Sequence, residues 1–569
     1  MKYINWLLMT ALALGACSKR YDKPLPTSPL YQNNNPGSAG SVRLVDLSQA
    51  GDRAEGSFTV VPTGLDLAVN GKRLTTFASP TGFTGPTYWF TSGKFSYGTS
   101  FTIPDSLFDP QGNALLQFYY VYFKTGRPAD GGSNNDRLDS PVLRMSIPVH
   151  NDINKPQDIL FYDSVVSLNP GNLPTALQLK SLTVQRPAGP SIQPDHFKIR
   201  LVNLTGRPFA DPTNQLTLTY ADGSKVDSKT TAVAFPGASD YLDLPFGTYQ
   251  FKIKDRAGNV LGVAGDIYGY ANMPLTYNPG GVYTLIAYNS TLQPNPNGGA
   301  VYYNPSYVLQ TDIKPSAQPN YIRVQAIHAA AGLSNVHFSV DGQALGDFVS
   351  FGQQTGYGIF SIGPHKMQLL DGNGKELASR VLSDTYPLDN LSVWAYMVNG
   401  NPQLLVTNND LSQSFFQPGS TGTTLSEPKP PLTTNVYGIW KVRFLNLSGD
   451  VPYASFIDNT GNFDIGGNFV MNDSSAWLHL AVGAVQDVMG VVTGRTNDKT
   501  AATISVFDSP PGTNPGTLLD LTLDHPLVAD SYPPGQIPST EMGAYTIALI
   551  GTKTSGGDTL RMITIKHNQ

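Results

Sequence analysis

One short motif returns four times along this chain and limits what the chain can become. The copies are VRLVDL from Val42, IRLVNL from Ile199, IRVQAI from Ile322 and VRFLNL from Val442. They begin 157, 123 and 120 residues apart, which is the size of a β-sandwich domain and too long for a solenoid repeat. In each copy apolar residues alternate with others, and Arg43, Arg200, Arg323 or Arg443 stands between them. Period-2 alternation of this kind describes a half-buried strand.

A second strand follows each copy: LDLAVNGKRL from Leu65, LTLTYADGSKV from Leu216, VHFSVDGQAL from Val336 and the weaker YASFIDNTGNF from Tyr453. Asn70-Gly71, Asp222-Gly223 and Asp341-Gly342 are dipeptides of type I′ hairpin turns, where both central residues take positive φ. A third block, a strand pair broken by glycine, reads LDLPFGTYQFKIKD from Leu242 and IFSIGPHKMQLLD from Ile359. Its counterpart is LHLAVG from Leu478, continuing late into TISVFD. A last strand recurs as YTLIAY from Tyr283, LSVWAYM from Leu391 and YTIALI from Tyr545. No stretch of twelve residues carries the 3.6-residue period of an amphipathic helix. The 56 Gly and 44 Pro suit a chain built from strands and turns. The expected fold is all-β, as tandem immunoglobulin-like β-sandwiches.

These elements resemble the repeat of bacterial envelope lipoproteins known as domain of unknown function 4397. Its members open with an I/V-R-φ-φ-N/H strand, then a strand ending in a D-G or N-G turn, then a strand pair of G-x-Y-x-φ type. Residues 197–313 and 321–411 fit that pattern. Residues 438–569 fit with an insertion between Gly483 and Ile504, and residues 41–165 keep the first two elements and depart after Leu74. The resemblance implies an immunoglobulin-like fold and brings no catalytic residues.

Length supports several domains: 569 residues is three to five at roughly 100–200 each. Pro/Gly/Ser-rich stretches set the expected boundaries. A divergent sandwich covers 41–165, a linker 166–195, and sandwiches 196–313 and 321–411. A second linker spans 412–437, with Pro418-Gly419-Ser420 and Pro428-Lys429-Pro430-Pro431, before a last sandwich at 438–569. The picture is beads on a semi-stiff string.

Residues 1–16 read as a signal peptide. Lys2 precedes an apolar run from Ile4 to Leu14, which as a helix is about 16 Å long and too short to span a bilayer. Leu14-Gly15-Ala16-Cys17 resembles the lipobox of bacterial lipoproteins, and Cys17 is the chain's one cysteine. That resemblance implies cleavage before Cys17 and its acylation, which anchors stably because it adds more than one acyl chain. Ser18 follows, with no aspartate to resemble an inner-membrane retention signal, so the expected place is the outer membrane, with the periplasmic or cell-surface face undecided. Residues 17–40 read as a lipidated tether.

Chemistry is sparse. With a formal charge of -5 the chain has no basic surplus for phosphates, so nucleic acid is not an expected partner. One cysteine excludes an intrachain disulfide, and eight scattered histidines form no H-E-x-x-H, so no metal is expected. His328 and His337 are the pair placed to meet across neighbouring strands of one sheet. No G-x-S-x-G, P-loop or dinucleotide fingerprint is present, so neither enzyme activity nor a cofactor is expected. Asp371-Gly372-Asn373-Gly374-Lys375 reads as a hairpin turn, because Lys375 stands where a calcium loop needs an oxygen. Asp458, Asn462 and Asp464 could supply oxygens to calcium from one loop, though shared turn chemistry explains them more simply.

Phe118-Tyr119-Tyr120-Val121-Tyr122-Phe123 is the candidate binding strand. Alternation puts Phe118, Tyr120 and Tyr122 on one face, and a face left open could stack on sugar rings. The expected role is therefore binding, with a glycan or an envelope protein as partner. The alternative is a structural spacer or accessory subunit of an outer-membrane complex.

Overall fold

The computed structural model describes residues 41–47, 60–73, 99–103, 105–124, 142–168, 174–205, 214–263, 274–291, 303–316, 319–409, 411, 437–458, 477–485, 490–495, 503–525, 527, 541–553 and 558–568. The chain divides into two compact units, Met1–Phe161 with Leu179–Ala188 and Tyr162–Gln178 with Gly189–Gln569.

The first sandwich comprises β1 (Val42–Asp46), β2 (Val60–Val69), β3 (Lys72–Arg73), β4 (Thr99–Thr102), β5 (Asn113–Lys124), β6 (Val142–His150), β7 (Gln157–Leu168) and β8 (Pro174–Gln185). One sheet runs in the order β4, β1, β7, β8 and the other β3, β2, β5, β6. Strands β1 and β7 are parallel, which requires the chain to cross between the layers before it returns. The second sandwich comprises β9 (His196–Leu204), β10 (Leu216–Thr219), β11 (Gly237–Ala238), β12 (Leu242–Pro245), β13 (Gly247–Tyr249), β14 (Lys252–Asp255), β15 (Gly262–Val263), β16 (Leu275–Tyr277), β17 (Val282–Thr291) and β18 (Tyr303–Ile313). There β9 and β17 are the parallel pair, and the second layer splits into β10 with β14 and β13 with β16.

The third sandwich comprises β19 (Tyr321–His328), β20 (His337–Val340), β21 (Gln343–Ala344), β22 (Gly358–Ser361), β23 (His365–Leu370), β24 (Glu376–Leu382), β25 (Asn390–Val398) and β26 (Asn401–Asn408). The fourth comprises β27 (Tyr437–Asn446), β28 (Tyr453–Asp458), β29 (Leu480–Ala481), β30 (Gly490–Arg495), β31 (Thr503–Asp508), β32 (Thr517–Asp524), β33 (Gly543–Ile550) and β34 (Arg561–Lys566). Their sheets run β22, β19, β25, β26 with β21, β20, β23, β24, and β30, β27, β33, β34 with β29, β28, β31, β32. First, third and fourth sandwiches thus share one connectivity, so the divergent first repeat has the same plan although its sequence departs after Leu74.

Each sandwich has its own core between the layers. In the third, Ile322, Val324 and Ala326 of β19 meet Phe338, Val340, Met367 and Leu369 of the facing sheet. In the fourth, Trp440, Val442 and Phe444 of β27 meet Phe456, Ile504 and Val506.

Four expectations change. Residues 166–195 are not merely a linker, because β8 pairs beside β7 in the first sandwich. LHLAVG is not the third block's counterpart: Leu480–Ala481 is the short strand beside β28, and β30 and β31 take the block's place. The Asp222-Gly223 turn is not type I′. Asn70 and Gly71 have φ of 51° and 79°, and Asp341 and Gly342 51° and 80°, whereas at the second sandwich Gly223 alone is positive, at 85°. Lastly, the motif strands are not half-buried. Arg43, Arg200, Arg323 and Arg443 are all between 2% and 4% exposed, so both faces of these strands are covered.

Candidate functional site

Each motif arginine stands on the face turned away from its own core, opposite a polar residue of the parallel partner strand. The register pairs are Arg43 with Asp158, Arg200 with Thr284, Arg323 with Asn390 and Arg443 with Thr546. A buried guanidinium needs acceptors or aromatic faces, and each copy meets that need differently. Arg43 donates through Nε and Nη2 to both carboxylate oxygens of Asp158, at 2.9 and 2.7 Å, and Arg186 Nε lies 2.7 Å from the same group. Arg200 donates to Thr284 Oγ1 at 3.0 Å and lies 4.5 Å above the Tyr241 ring.

Arg323 and Arg443 reach the preceding sandwich. Arg443 Nη1 donates to Asn409 Oδ1 at 3.3 Å, just past β26. The Arg323 guanidinium lies 4.1 Å from the Tyr357 ring and 6.0 Å from that of Tyr249 in the second sandwich. A Cβ on Gly247 would run into it, so only glycine permits this approach. Burial pushes the Tyr249 hydroxyl up to about 12, and that hydroxyl donates to Pro245 O at 2.7 Å.

The third and fourth sandwiches are not separate beads. Ile327, Trp394 and Leu405 on one outer sheet face pack with Leu445, Leu447, Ala548, Ile550 and Ile565 on the other in a single buried cluster. Trp394 is fully buried, and its Nε1 donates to Thr407 Oγ1 at 3.1 Å. Burying one such large side chain is worth about 1.5–3 kcal/mol, so this face-to-face seam is a core in its own right. The result is a four-layer stack of sheets.

The aromatic strand proposed for binding is β5, which lies between β2 and β6 rather than at an edge. Phe118 is fully buried, its ring centroid 4.5 Å from that of Phe161, so it is a core residue and not a ligand contact. The side chains of Tyr120 and Tyr122 lie outside the described residues, although their backbones pair with Leu65 and Pro62. Cys17 and the whole of 1–40 lie outside them as well. Among the described residues the exposed aromatic surface is instead on the third sandwich. There Phe348 is 52% exposed against the His337 ring, at 3.5 Å between centroids, and Tyr386 is 69% exposed. Both sit singly in loops, with no alternating run to mark them in the sequence.

The polar groups that invite a catalytic reading serve structure. Ser509 Oγ is 3.1 Å from His479 Nδ1, but Ser509 is fully buried and its hydroxyl donates to Pro515 O. His328 and His337 lie in different sheets of the third sandwich and do not pair, because β19 and β20 belong to opposite layers. His328 Nε2 faces Leu333 O at 3.1 Å instead. Asp371 closes its hairpin by accepting from the Asn373 and Lys375 amides, each at 2.9 Å, which holds its carboxyl below the usual range. Asn462 and Asp464 lie outside the described residues. Among those described, no group of three His, Cys, Asp or Glu is placed to hold a metal, and no helix is long and apolar enough to cross a membrane.

By fold this is a tandem β-sandwich protein. No family model matches the chain, and no curated protein does. Among solved structures it is aligned with the Bacillus anthracis TIE protein at 9% identity, over 83% of this chain and 70% of that one, with a TM-score of 0.11. It is also aligned with the pilus adhesin SpaC of Lactobacillus rhamnosus GG at 10% identity, over 90% and 56%, with a TM-score of 0.10. Scores this low are far from a shared overall fold.

Proposed function

We propose that this chain is an outer-membrane lipoprotein, acylated at Cys17, that presents tandem β-sandwiches to a glycan or envelope protein without catalysing a reaction. We place it with the envelope-lipoprotein repeats that its I/V-R-φ-φ strands and D-G turns resemble. The observation that carries the reading is how the polar residues are spent. The four motif arginines and the Ser509–His479 pair are all consumed in holding sheets together. What a partner can reach is the outer surface of the sandwiches, where Phe348 and Tyr386 are the exposed aromatic rings among the described residues. Aromatic faces of this kind suit sugar rings or an apolar protein contact. The spacer reading draws its support from the sealed seam between the third and fourth sandwiches, since a fixed joint holds a partner at a fixed distance.

Fractionation of wild type and Cys17→Ser tests the anchor: the variant should leave the membrane fraction, and a membrane-bound variant would defeat the lipoprotein reading. Glycan arrays and envelope pull-downs with Phe348→Ala, Tyr386→Ala and Tyr120→Ala test binding. Wild type that retains neither a glycan nor an envelope protein rules out display. Co-purification with an outer-membrane protein, unchanged in all three variants, would select the spacer.

A further inference from the structure

The seam between the third and fourth sandwiches buries a titratable imidazole that the proposed function does not use. His567, one residue past β34, is fully buried, and Asn568 beside it is 4% exposed. His567 N donates to Ala544 O at 2.9 Å, and Asn568 Oδ1 accepts from Ala544 N at 3.0 Å, which pins this segment onto β33. The ring then reaches across the seam. Its Nδ1 lies 2.8 Å from Gln325 Nε2 on β19 and 3.3 Å from Ser392 Oγ on β25. Its Nε2 lies 2.7 Å from Thr546 Oγ1, and its backbone oxygen accepts from Tyr357 Oη at 2.8 Å.

Because an amide nitrogen can only donate, Nδ1 is the acceptor and Nε2 carries the hydrogen toward Thr546. Asn409 extends the network, donating to Ser392 Oγ at 2.8 Å while accepting from Arg443. The groups that face the ring are therefore Gln325, Ser392 and Thr546, with Tyr357 on the backbone oxygen and Arg443 as the nearby charge. The neighbouring Lys566 is paired with Glu541. Among the described residues no carboxylate faces the ring to balance an imidazolium.

We propose that His567 is an acid-released latch: neutral, it joins the third and fourth sandwiches, and protonated, it loosens them. A proton on Nδ1 would point at the Gln325 amide hydrogens and place a second cation near Arg443 in a buried seam. Burial first, and Arg443 second, hold the imidazole well below its usual value of 6.5. The opened form regains the ordinary value and takes up the proton more readily. Seam stability is therefore complete above about pH 6.5 and declines as pH falls below it, with the opening constant rising about tenfold per pH unit for one proton.

Hydrogen exchange on the full chain at about pH 7.5, 6 and 5 reads this directly, after correction for intrinsic exchange. Protection of the β25 and β33 amides should fall with that slope in wild type, and His567→Gln, which hydrogen-bonds without titrating, should lose one proton's worth of it. An equal slope in both proteins, or none in wild type, overturns the latch. Should His567→Gln fail to fold, ring nitrogen shifts of the wild-type protein decide: a ring that stays neutral to about pH 5 in the closed state supports the latch, and one that titrates in place near 6.5 overturns it.

Discussion

Gln325 and His567 are 242 positions apart, yet Gln325 Nε2 and His567 Nδ1 lie 2.8 Å from one another. This contact crosses from one sandwich to the next in a region where both partners are buried. It ties the third sandwich to the fourth beside their shared apolar cluster, and the first prediction addresses the apolar part of that joint.

Trp394→Ala should cost about 3–5 kcal/mol, the range for removing a fully buried large side chain that leaves a cavity. Because Trp394 belongs to the seam and not to the third sandwich's own core, the loss should appear as uncoupling. Calorimetry should show the cooperative transition of these two sandwiches splitting into two. A Val324→Ala change, in the third core, should lower stability without splitting it.

Asp158 accepts from Arg43 and has Arg186 beside it, and it is 1% exposed. Asp158→Ala would leave two guanidinium groups without their shared acceptor, and should cost about 3–5 kcal/mol. Arg43→Met combined with Asp158→Leu should cost clearly less, because no buried charge is stranded. Urea unfolding of the two variants, followed by hydrogen exchange in β1 and β7, separates the outcomes.

Gly342 has φ of 80° in a turn whose first residue, Asp341, also accepts from the Lys366 amide at 2.7 Å. Gly342→Ala places a Cβ in the left-handed region and should cost about 1–2 kcal/mol. The same change at Gly189, which has no positive φ and no neighbour within 4 Å of a new Cβ, should be close to neutral. Thermal midpoints of the pair provide the comparison.

Burial holds the His328 imidazole below 6.5, partly offset by the Leu333 carbonyl and by Asp558. The contribution of a neutral His328 is thus complete above about pH 6.5 and shrinks as pH falls below it. Urea midpoints of His328→Gln should vary less between about pH 8 and 5.5 than those of wild type. An unchanged pH dependence would show that another group is responsible.

Much of the architecture was legible along the chain. Spacing of the V/I-R motif marks sandwich-sized units, and Asn70-Gly71 and Asp341-Gly342 predict turns that the backbone angles bear out. In the first sandwich Asn70 Oδ1 accepts from Leu115 N at 2.8 Å, the counterpart of Asp341 with Lys366, so the divergent repeat preserves even this detail. The binding face was not legible. Phe118 stands in an aromatic run that reads equally well as a core or as an open face, and which one depends on the strands at either side of β5.

Local alternation and turn residues act over a few positions, so they determine strands, hairpins and the existence of sandwich units by themselves. Whether a sheet's outer face meets water depends on what packs against it, and for Arg443 that partner is Asn409, in a sandwich that precedes its own. An arginine flanked by Val442 and Phe444 reads as solvent-facing on one strand alone. Only the tertiary structure, by laying Leu445 and Ile550 against Ile327 and Trp394, turned that face into an interior and beads into a block.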